Sequence, residues 1–427
     1  MKLVKSLLLG SVAGLAAVAG AQAADLPVAK AAPVEYVRVC STYGSGFFYI
    51  PGTETCLRVG GRVRADYLYG EPIDRAQDAI GFRARGRLNI DTRTATAYGL
   101  LRAYIRYEIT RSSGTPFNGG AGTVGTSPDI AQAFVQFGGL TAGRVTSFFS
   151  NGDLPTDHMG TLRFDDAPDV NLLAYTFSFG NGFSATLALE DGLDRRSSGF
   201  GIESPFALAY AGQRVPDVVG NIKYDGTWGT AQLSGAVHQI RSLNLVTPFG
   251  GTVADYPETE YGFAISAQVG VNLPMLGEGD AAWVAATYTD GAIAYITGGS
   301  SDSLATGTSE LFLADAVVNP ITGDLGTTRA WSIAGGLRHY WTPTLRQNVF
   351  GSYARFDFSA VGANVGLFDF NEWRLGTNLI WSPVNGLDIG AEVIYATLDP
   401  RSNLVLPAGP GVSDSGWEGR LRIQRDF

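Results

Sequence analysis

Arginine is the residue this chain repeats with most purpose. Arg58, Arg62 and Arg64 recur at spacings of two or four, as do Arg83, Arg85 and Arg87, Arg102 and Arg106, and Arg420 and Arg422. A guanidinium keeps its charge at any working pH, so it does not shuttle protons; it steers anions or pairs with acids. Carboxylates cluster in FFSNGDLPTDHMGTLRFDDAPD, residues 148–169, which sets Asp153, Asp157, Asp165, Asp166 and Asp169 against the single base Arg163. If that stretch folds into a lumen lined by the arginines, opposite charges face each other across a narrow aqueous gap. Rings of charge at such a gap decide which ions and dipoles pass. The alternative is a solvated external loop; a calcium site is disfavoured because the acids lack EF-hand spacing.

A proton-transfer centre is harder to assemble. The chain holds three histidines, His158, His238 and His339. A barrel lipase needs a Ser–His pair with an orienting partner, and a barrel protease a His–Asp arrangement. His158 lies in the acidic stretch, His238 has only Gln239 and Arg241 as polar chain neighbours, and His339 falls on the apolar face of its segment. No enzyme, cofactor or metal site is expected. Cys40 and Cys56 both precede the patterned part of the chain. In an exported protein they meet an oxidising compartment, so an intramolecular disulfide is expected. It would contribute about 3 kcal/mol in the chain-entropy model. Two free thiols or a metal pair are the alternatives, the second weakened by the lack of an accompanying His.

Export itself is written into the first residues. Lys2 and Lys5 precede the apolar stretch Leu7 to Ala19, and Ala21-Gln22-Ala23 offers a small-x-small cleavage site, giving a mature chain from Ala24. The apolar run is short for a membrane-spanning helix, though an uncleaved anchor is the competing reading. Residues 1–23 hold no acid, so losing Lys2 and Lys5 takes the formal net charge from −9 to −11. An acidic exported chain lacks the basic footprint that nucleic-acid binding starts from. Charged residues are 17%, below the ~25% usual in globular domains, while Gly reaches 56 of 427. No later stretch approaches the ~18 uninterrupted apolar residues of a spanning helix. Low charge and many glycines fit a closed barrel, which hides its apolar surface in alternation.

The elements that must position the arginines follow from a period of two. In residues 79–91, Ile80, Phe82, Ala84, Leu88 and Ile90 fall on one face, and Arg83, Arg85, Arg87, Asn89 and Asp91 on the other. Residues 57–69 and 97–109 repeat the arrangement. Sixteen such segments can be counted from 57–69 to 416–427, each ~9 residues or longer, the length of a tilted spanning strand. Short joins such as Gly138-Gly139, Gly180-Asn181-Gly182, Asp225-Gly226-Thr227 and Thr342-Pro343-Thr344 alternate with long ones at 110–128, 147–169, 191–216, 241–257, 290–327, 357–370 and 398–415. Every long join therefore lies at one end, as in outer-membrane barrels with short periplasmic turns and long external loops. Closure brings the last strand beside the first, which unites the arginines in one wall. An arginine facing lipid near the midplane costs ~2–4 kcal/mol, so that wall faces inward. Tyr69, Trp228, Trp331, Trp341, Trp373, Trp381 and Trp417 sit toward strand ends, where interface girdles belong.

The run VEYVRVCSTYGSGFFYIPGTETCLRVGG at 34–61, Val63-Arg64-Ala65-Asp66-Tyr67, AFVQFGGLTAGRVTSFF at 133–149 and the final Phe427 together resemble the alphaproteobacterial porins. The resemblance extends over essentially the whole mature chain, and the Cys40–Cys56 segment is its most specific part. It implies a homotrimeric, sixteen-stranded general-diffusion channel of the bacterial outer membrane whose third loop folds inward. The expectation is thus an all-β chain: signal peptide 1–23, periplasmic segment 24–56 with a Cys40–Cys56 disulfide, and a transmembrane antiparallel barrel 57–427 with loop 148–169 turned inward. Its partners would be outer-membrane lipid and small hydrophilic solutes and ions. A substrate-specific anion or sugar channel is the alternative, with Tyr104 the one aromatic placed on the arginine wall.

Overall fold

The computed structural model describes residues 38–72, 75–118, 122–160, 162, 167–198, 207–247, 251, 253–298, 313–319, 321–359, 369–401 and 414–427. The expected signal segment, Asp165 and Asp166 lie outside them. Period-two sequence becomes strand wherever it was read. The barrel strands are β1 Cys56–Gly70, β2 Ile80–Thr96, β3 Gly99–Ser113, β4 Val124–Phe137, β5 Leu140–Thr146, β6 Asp169–Gly180, β7 Phe183–Glu190 and β8 Asp217–Gly226. They continue as β9 Gly229–Ile240, β10 Glu260–Asn272, β11 Ala281–Asp290, β12 Arg329–Thr342, β13 Leu345–Asp357, β14 Phe370–Val384, β15 Leu387–Pro400 and β16 Ser415–Asp426. Each pairs antiparallel with its chain neighbours, and β16 closes on β1 with Arg422 opposite Asp66 and Leu421 opposite Tyr67. Among the described residues this is a closed sixteen-stranded antiparallel barrel, to which the two-residue strand Phe48–Tyr49 is annexed beside Leu57 and Cys56.

Burial runs inside out. Val59, Val63, Tyr67, Ile80, Phe82 and Leu88 are exposed, whereas the arginines between them are half-buried. The apolar set therefore forms the outer surface and the charged set the lumen, the reverse of a soluble core. Aromatics ring both rims: Trp331 meets Tyr353, and Tyr395 meets Trp373 and Trp417, at the long-loop end. Trp228 stacks on Tyr224 at the short-turn end.

The tight turns use the conformations their residues allow. Asn181 adopts φ 51° between Gly180 and Gly182, both also at positive φ, which turns β6 into β7. Glycine is required at 61 for another reason. A Cβ there would lie 2.5 Å from the Arg87 carbonyl oxygen and 2.5 Å from the Phe427 ring. The two residues exchange backbone hydrogen bonds of 2.8 and 3.0 Å, so the last residue is stitched to the seam strand.

One boundary moved for a physical reason. The expected loop 110–128 is shorter, because β4 begins at Val124 and contains Pro128. Proline has no N–H to give a ladder. It is tolerated because the seven-residue β5 pairs with β4 only from Ala133 to Phe137, leaving 124–132 unpaired on that side. The N-terminal segment is also more than a leader. Cys40 and Cys56 are disulfide-bonded with Cα atoms 6.0 Å apart, and Phe47 packs against them.

Candidate functional site

The arginines of β1–β3 and β16 are paired, for the most part, with acids of these same strands. Asp66, 1% exposed, lies between Arg83 at 2.8 Å and Arg422 at 2.6 Å. Both are its directly opposed neighbours, one on β2 and one on β16. Glu108 on β3 takes Arg87 at 2.5 Å and Arg85 at 3.2 Å, with Arg106 at 3.7 Å. Asp91 takes Arg93 at 2.8 Å and Arg102 at 3.0 Å. Arg62 pairs with Asp426 at 2.5 Å, and Arg420 with Glu418 at 2.8 Å. Side chains facing each other across neighbouring strands are close enough to pair, so the wall neutralises much of its own charge. Arg64 instead donates to the Gln424 amide oxygen at 2.9 Å, and Arg58 lies 6.0 Å over the Phe47 ring. Aromatics join the wall beyond Tyr104. Phe134 and Tyr104 both flank Arg102, and Phe117, from the helical turn Thr115–Asn118, sits 4.5 Å from Arg83.

The described residues of loop 148–169 lie against the inner side of the barrel. Their partners are inward-facing side chains, the opposite face of each strand from the exposed apolar set. Asn221 and Gln232 donate to the Phe148 carbonyl at 2.6 and 3.1 Å. Asn151 donates its backbone N–H to Gln268 at 2.6 Å and its amide to Thr230 at 3.0 Å. Farther along, Glu392 on β15 accepts the backbone N–H groups of Met159 at 2.6 Å and Gly160 at 2.5 Å. Arg420 and Arg422 donate to the Met159 carbonyl at 2.9 and 3.0 Å. Leu162, fully buried, accepts from Ser352. The loop thus runs along the β8–β10 wall and then spans to β13–β16.

The three described loop acids separate. Asp153 pairs with Lys223 on β8, Asp157 with Arg346 on β13 at 2.6 Å, and Asp169, at the start of β6, with Arg106 at 2.5 Å. Asp165 and Asp166 fall outside the described residues. Among the described residues, direct contact between the loop and the arginines of β16 runs through the Met159 carbonyl rather than a carboxylate. Asp157 and His158 nevertheless line one recess together with Arg62, Arg64, Arg422, Arg346 and Asp388. Loop and wall charges therefore share a common aqueous space.

A second buried cluster escaped the sequence reading. His238 is 1% exposed and has a partner distant in the chain: both Asp217 carboxylate oxygens lie 2.9 Å from Nδ1. The Tyr295 hydroxyl donates to the same carboxylate at 2.7 Å, and Asp315 accepts from Tyr210 at 2.5 Å. Tyr295 and Asp315 belong to the long join 290–327, whose described residues 291–298 and 313–319 are therefore inward too. The available signal was compositional: inward positions of β6–β10 are Ala174, Ala188, Val219, Ala236 and Ala264 rather than arginines. His158 lies 2.8 Å from the Gly160 carbonyl, and His339 2.6 Å from Asp280 at a short turn.

Residues 25–417 match the family model described as the porin subfamily. The chain is 31% identical over 435 residues to Porin Omp2b of Brucella canis, covering 99% of each chain. It is also 31% identical over 444 residues to Porin Omp2b of Brucella suis, covering 99% of this chain and 100% of that one. Among solved structures, the outer membrane channel DcaP of Acinetobacter baumannii aligns with a TM-score of 0.65 at 15% identity, over 89% of this chain and 99% of that one. OprB of Pseudomonas putida aligns at 0.51 and 10% identity, over 87% and 94%. The structural likenesses carry the barrel fold, and the full-length sequence matches carry the family. A closed barrel with an apolar exterior, a charged lumen and an inward loop thus belongs to a chain of the porin subfamily, a general-diffusion porin of the bacterial outer membrane.

Proposed function

We propose that small hydrophilic solutes and ions cross this barrel passively through a filter built from the arginine wall and loop 148–169. Arg62, Arg64, Arg83, Arg85, Arg87, Arg102, Arg106, Arg420 and Arg422 form its basic side; Asp153, Asp157, Asp165, Asp166 and Asp169 supply its acidic side. The observation that carries this reading is the recess in which Asp157 and His158 of the loop line the same space as Arg62, Arg64 and Arg422. Charges so placed lie within reach of one another at ordinary salt, where the Debye length is ~8–10 Å. Converting Asp153, Asp157, Asp165 and Asp166 to asparagine keeps side-chain size and removes negative charge from one side only. The reversal potential in a salt gradient then moves toward anions, most at low salt. An unmoved potential places the filter elsewhere.

The channel is non-enzymatic and homotrimeric on the same reading. The full-length match to porins supports the first of these. The trimer gains support from β5, where Arg144 stands on the outward face opposite Ala133 and pairs with Asp194 at 3.1 Å. Charged side chains on the outward face of a strand suit contact with another protomer better than contact with lipid. Crosslinking of purified protein in mild detergent tests it, and a monomer alone refutes it.

A further inference from the structure

The lumen wall is divided into two kinds of surface. On β16 and β1–β3, inward positions are arginines and acids. On β6–β13 they are largely alanine, valine, serine and threonine, and that half is not left to water. Ala292 and Tyr295 pack on Val219, Ala236 and Ala264 in one cluster. Ile293, Ile296 and Leu313 pack on Ala330, Ala354 and Phe356 in another. The helical turn Ala294–Thr297 is buried along its whole length, Ala294 at 0%. Short side chains beneath it leave the room that a second chain segment fills.

We propose that residues 291–298 and 313–319 form a second inward element that sets the channel's size limit, narrowing the bore from the side facing away from the arginine wall. Two buried carboxylates hold it. Asp217, at the start of β8, accepts the Tyr295 hydroxyl and lies against His238. Asp315 accepts the backbone N–H groups of Ile293 at 2.7 Å and Ser197 at 2.6 Å, besides the Tyr210 hydroxyl. The single Asp315 side chain therefore joins loop 191–216 to the element itself. Burial, reinforced by Asp217 for Tyr295 and by Asp315 for Tyr210, pushes both phenols well above their usual range, so both remain donors. Tyr295 also stands edge-on to Phe149 at 4.7 Å, and the Arg195 guanidinium lies 4.5 Å over its ring. The second element thus rests on loop 148–169 and shares the lumen with it. The inference goes beyond the charge filter, since the described partners of this element include none of the arginines of β16 and β1–β3.

The test separates size from charge. Tyr295→Phe keeps the ring and removes the bond to Asp217; adding Ile293→Ala and Ile296→Ala cuts the apolar seat, and no charge changes. Proteoliposome swelling is read as the permeability ratio of a trisaccharide to a pentose, beside the reversal potential in a salt gradient. The triple variant raises the ratio about threefold or more, and Tyr295→Phe alone raises it by less, with the reversal potential held at the wild-type value. An unchanged ratio in assembled, heat-modifiable protein overturns the proposal. Should the triple variant fail to assemble, Ala294→Cys in otherwise wild-type protein decides instead. Its thiol resists a maleimide until denaturation if the element is seated, and rapid labelling in the folded channel overturns it. A wrong assignment of the charge filter would show only in the aspartate variants, which these substitutions leave alone.

Discussion

Glu392 should decide whether the tip of loop 148–169 holds still. Its two carboxylate oxygens take the backbone N–H groups of Met159 and Gly160, and Asn378 donates to it at 3.0 Å. Hydrogen bonds to a charged acceptor contribute ~1.5–3 kcal/mol each. Glu392→Ala therefore removes about 3–6 kcal/mol of bias toward the seated tip, by that per-bond value. Glu392→Gln keeps one acceptor and turns its NH2 against the second donor, which costs about half as much. At ~1.4 kcal/mol per factor of ten, glutamine shifts the seated-to-free ratio ~10–100-fold and alanine more. The Asp157–Arg346 pair and the Asn378 bond to the Asp157 carbonyl still tether the segment, so the tip fluctuates rather than leaves. Single-channel recording in planar bilayers reads this directly. Open-channel noise should rise from wild type through glutamine to alanine. Both variants lose one negative charge, so both shift the reversal potential toward anions by a similar step. Quiet alanine channels would refute the clamp, and equal noise in both variants would refute the count of bonds.

Other consequences are cheaper to measure. Native protein should show no reactive thiols until denatured and reduced; Cys40→Ser with Cys56→Ser should cost about 3 kcal/mol in the chain-entropy model, seen as a lower heat-modification temperature with conductance little changed. Gly61→Val drives a side chain into the Arg87 carbonyl and the Phe427 ring, so overpacking at the seam should cost ~1–3 kcal/mol, and an unaltered unfolding temperature would deny that contact. Replacing Arg83, Arg85 and Arg87 by glutamine should move the reversal potential toward cations with less effect on conductance. That step should be smaller than three free charges would give, because Asp66 and Glu108 already pair with them.

The barrel was legible because two independent patterns agreed. Alternation at 79–91 gave one strand its two faces, and the strict order of short and long joins gave the whole its two ends. Even β6 to β8, where alternation is faint, fell where the Gly180-Asn181-Gly182 turn and the Asp225–Thr227 join required. What failed was local. The expected loop 110–128 runs past the real start of β4, which begins at Val124 and contains Pro128. Only the shortness of β5, a property of its neighbour, makes that proline harmless.

The site was half legible for a reason rooted in side-chain chemistry. An arginine near the middle of a lipid-facing strand has only one tolerable direction, so Arg83, Arg85 and Arg87 declare the lumen by themselves. An alanine tolerates lipid, water or another chain equally, so Ala236 and Ala264 cannot announce that a loop lies on them. The same asymmetry hid His238, whose partner Asp217 is distant in the chain but becomes a near neighbour when β8 pairs with β9. Register also explains the misplaced acids. Asp66 and Glu108 belonged visibly to strands, but only the offset between strands puts Asp66 opposite Arg83 and Arg422, and Glu108 opposite Arg87. A wall that cancels much of its own charge leaves loop 148–169 free to use its carboxylates elsewhere, on Lys223 and Arg346. Those pairs help hold the loop across the lumen, so the shape of the proposed filter depends on Lys223 and Arg346 as well as on the arginine wall.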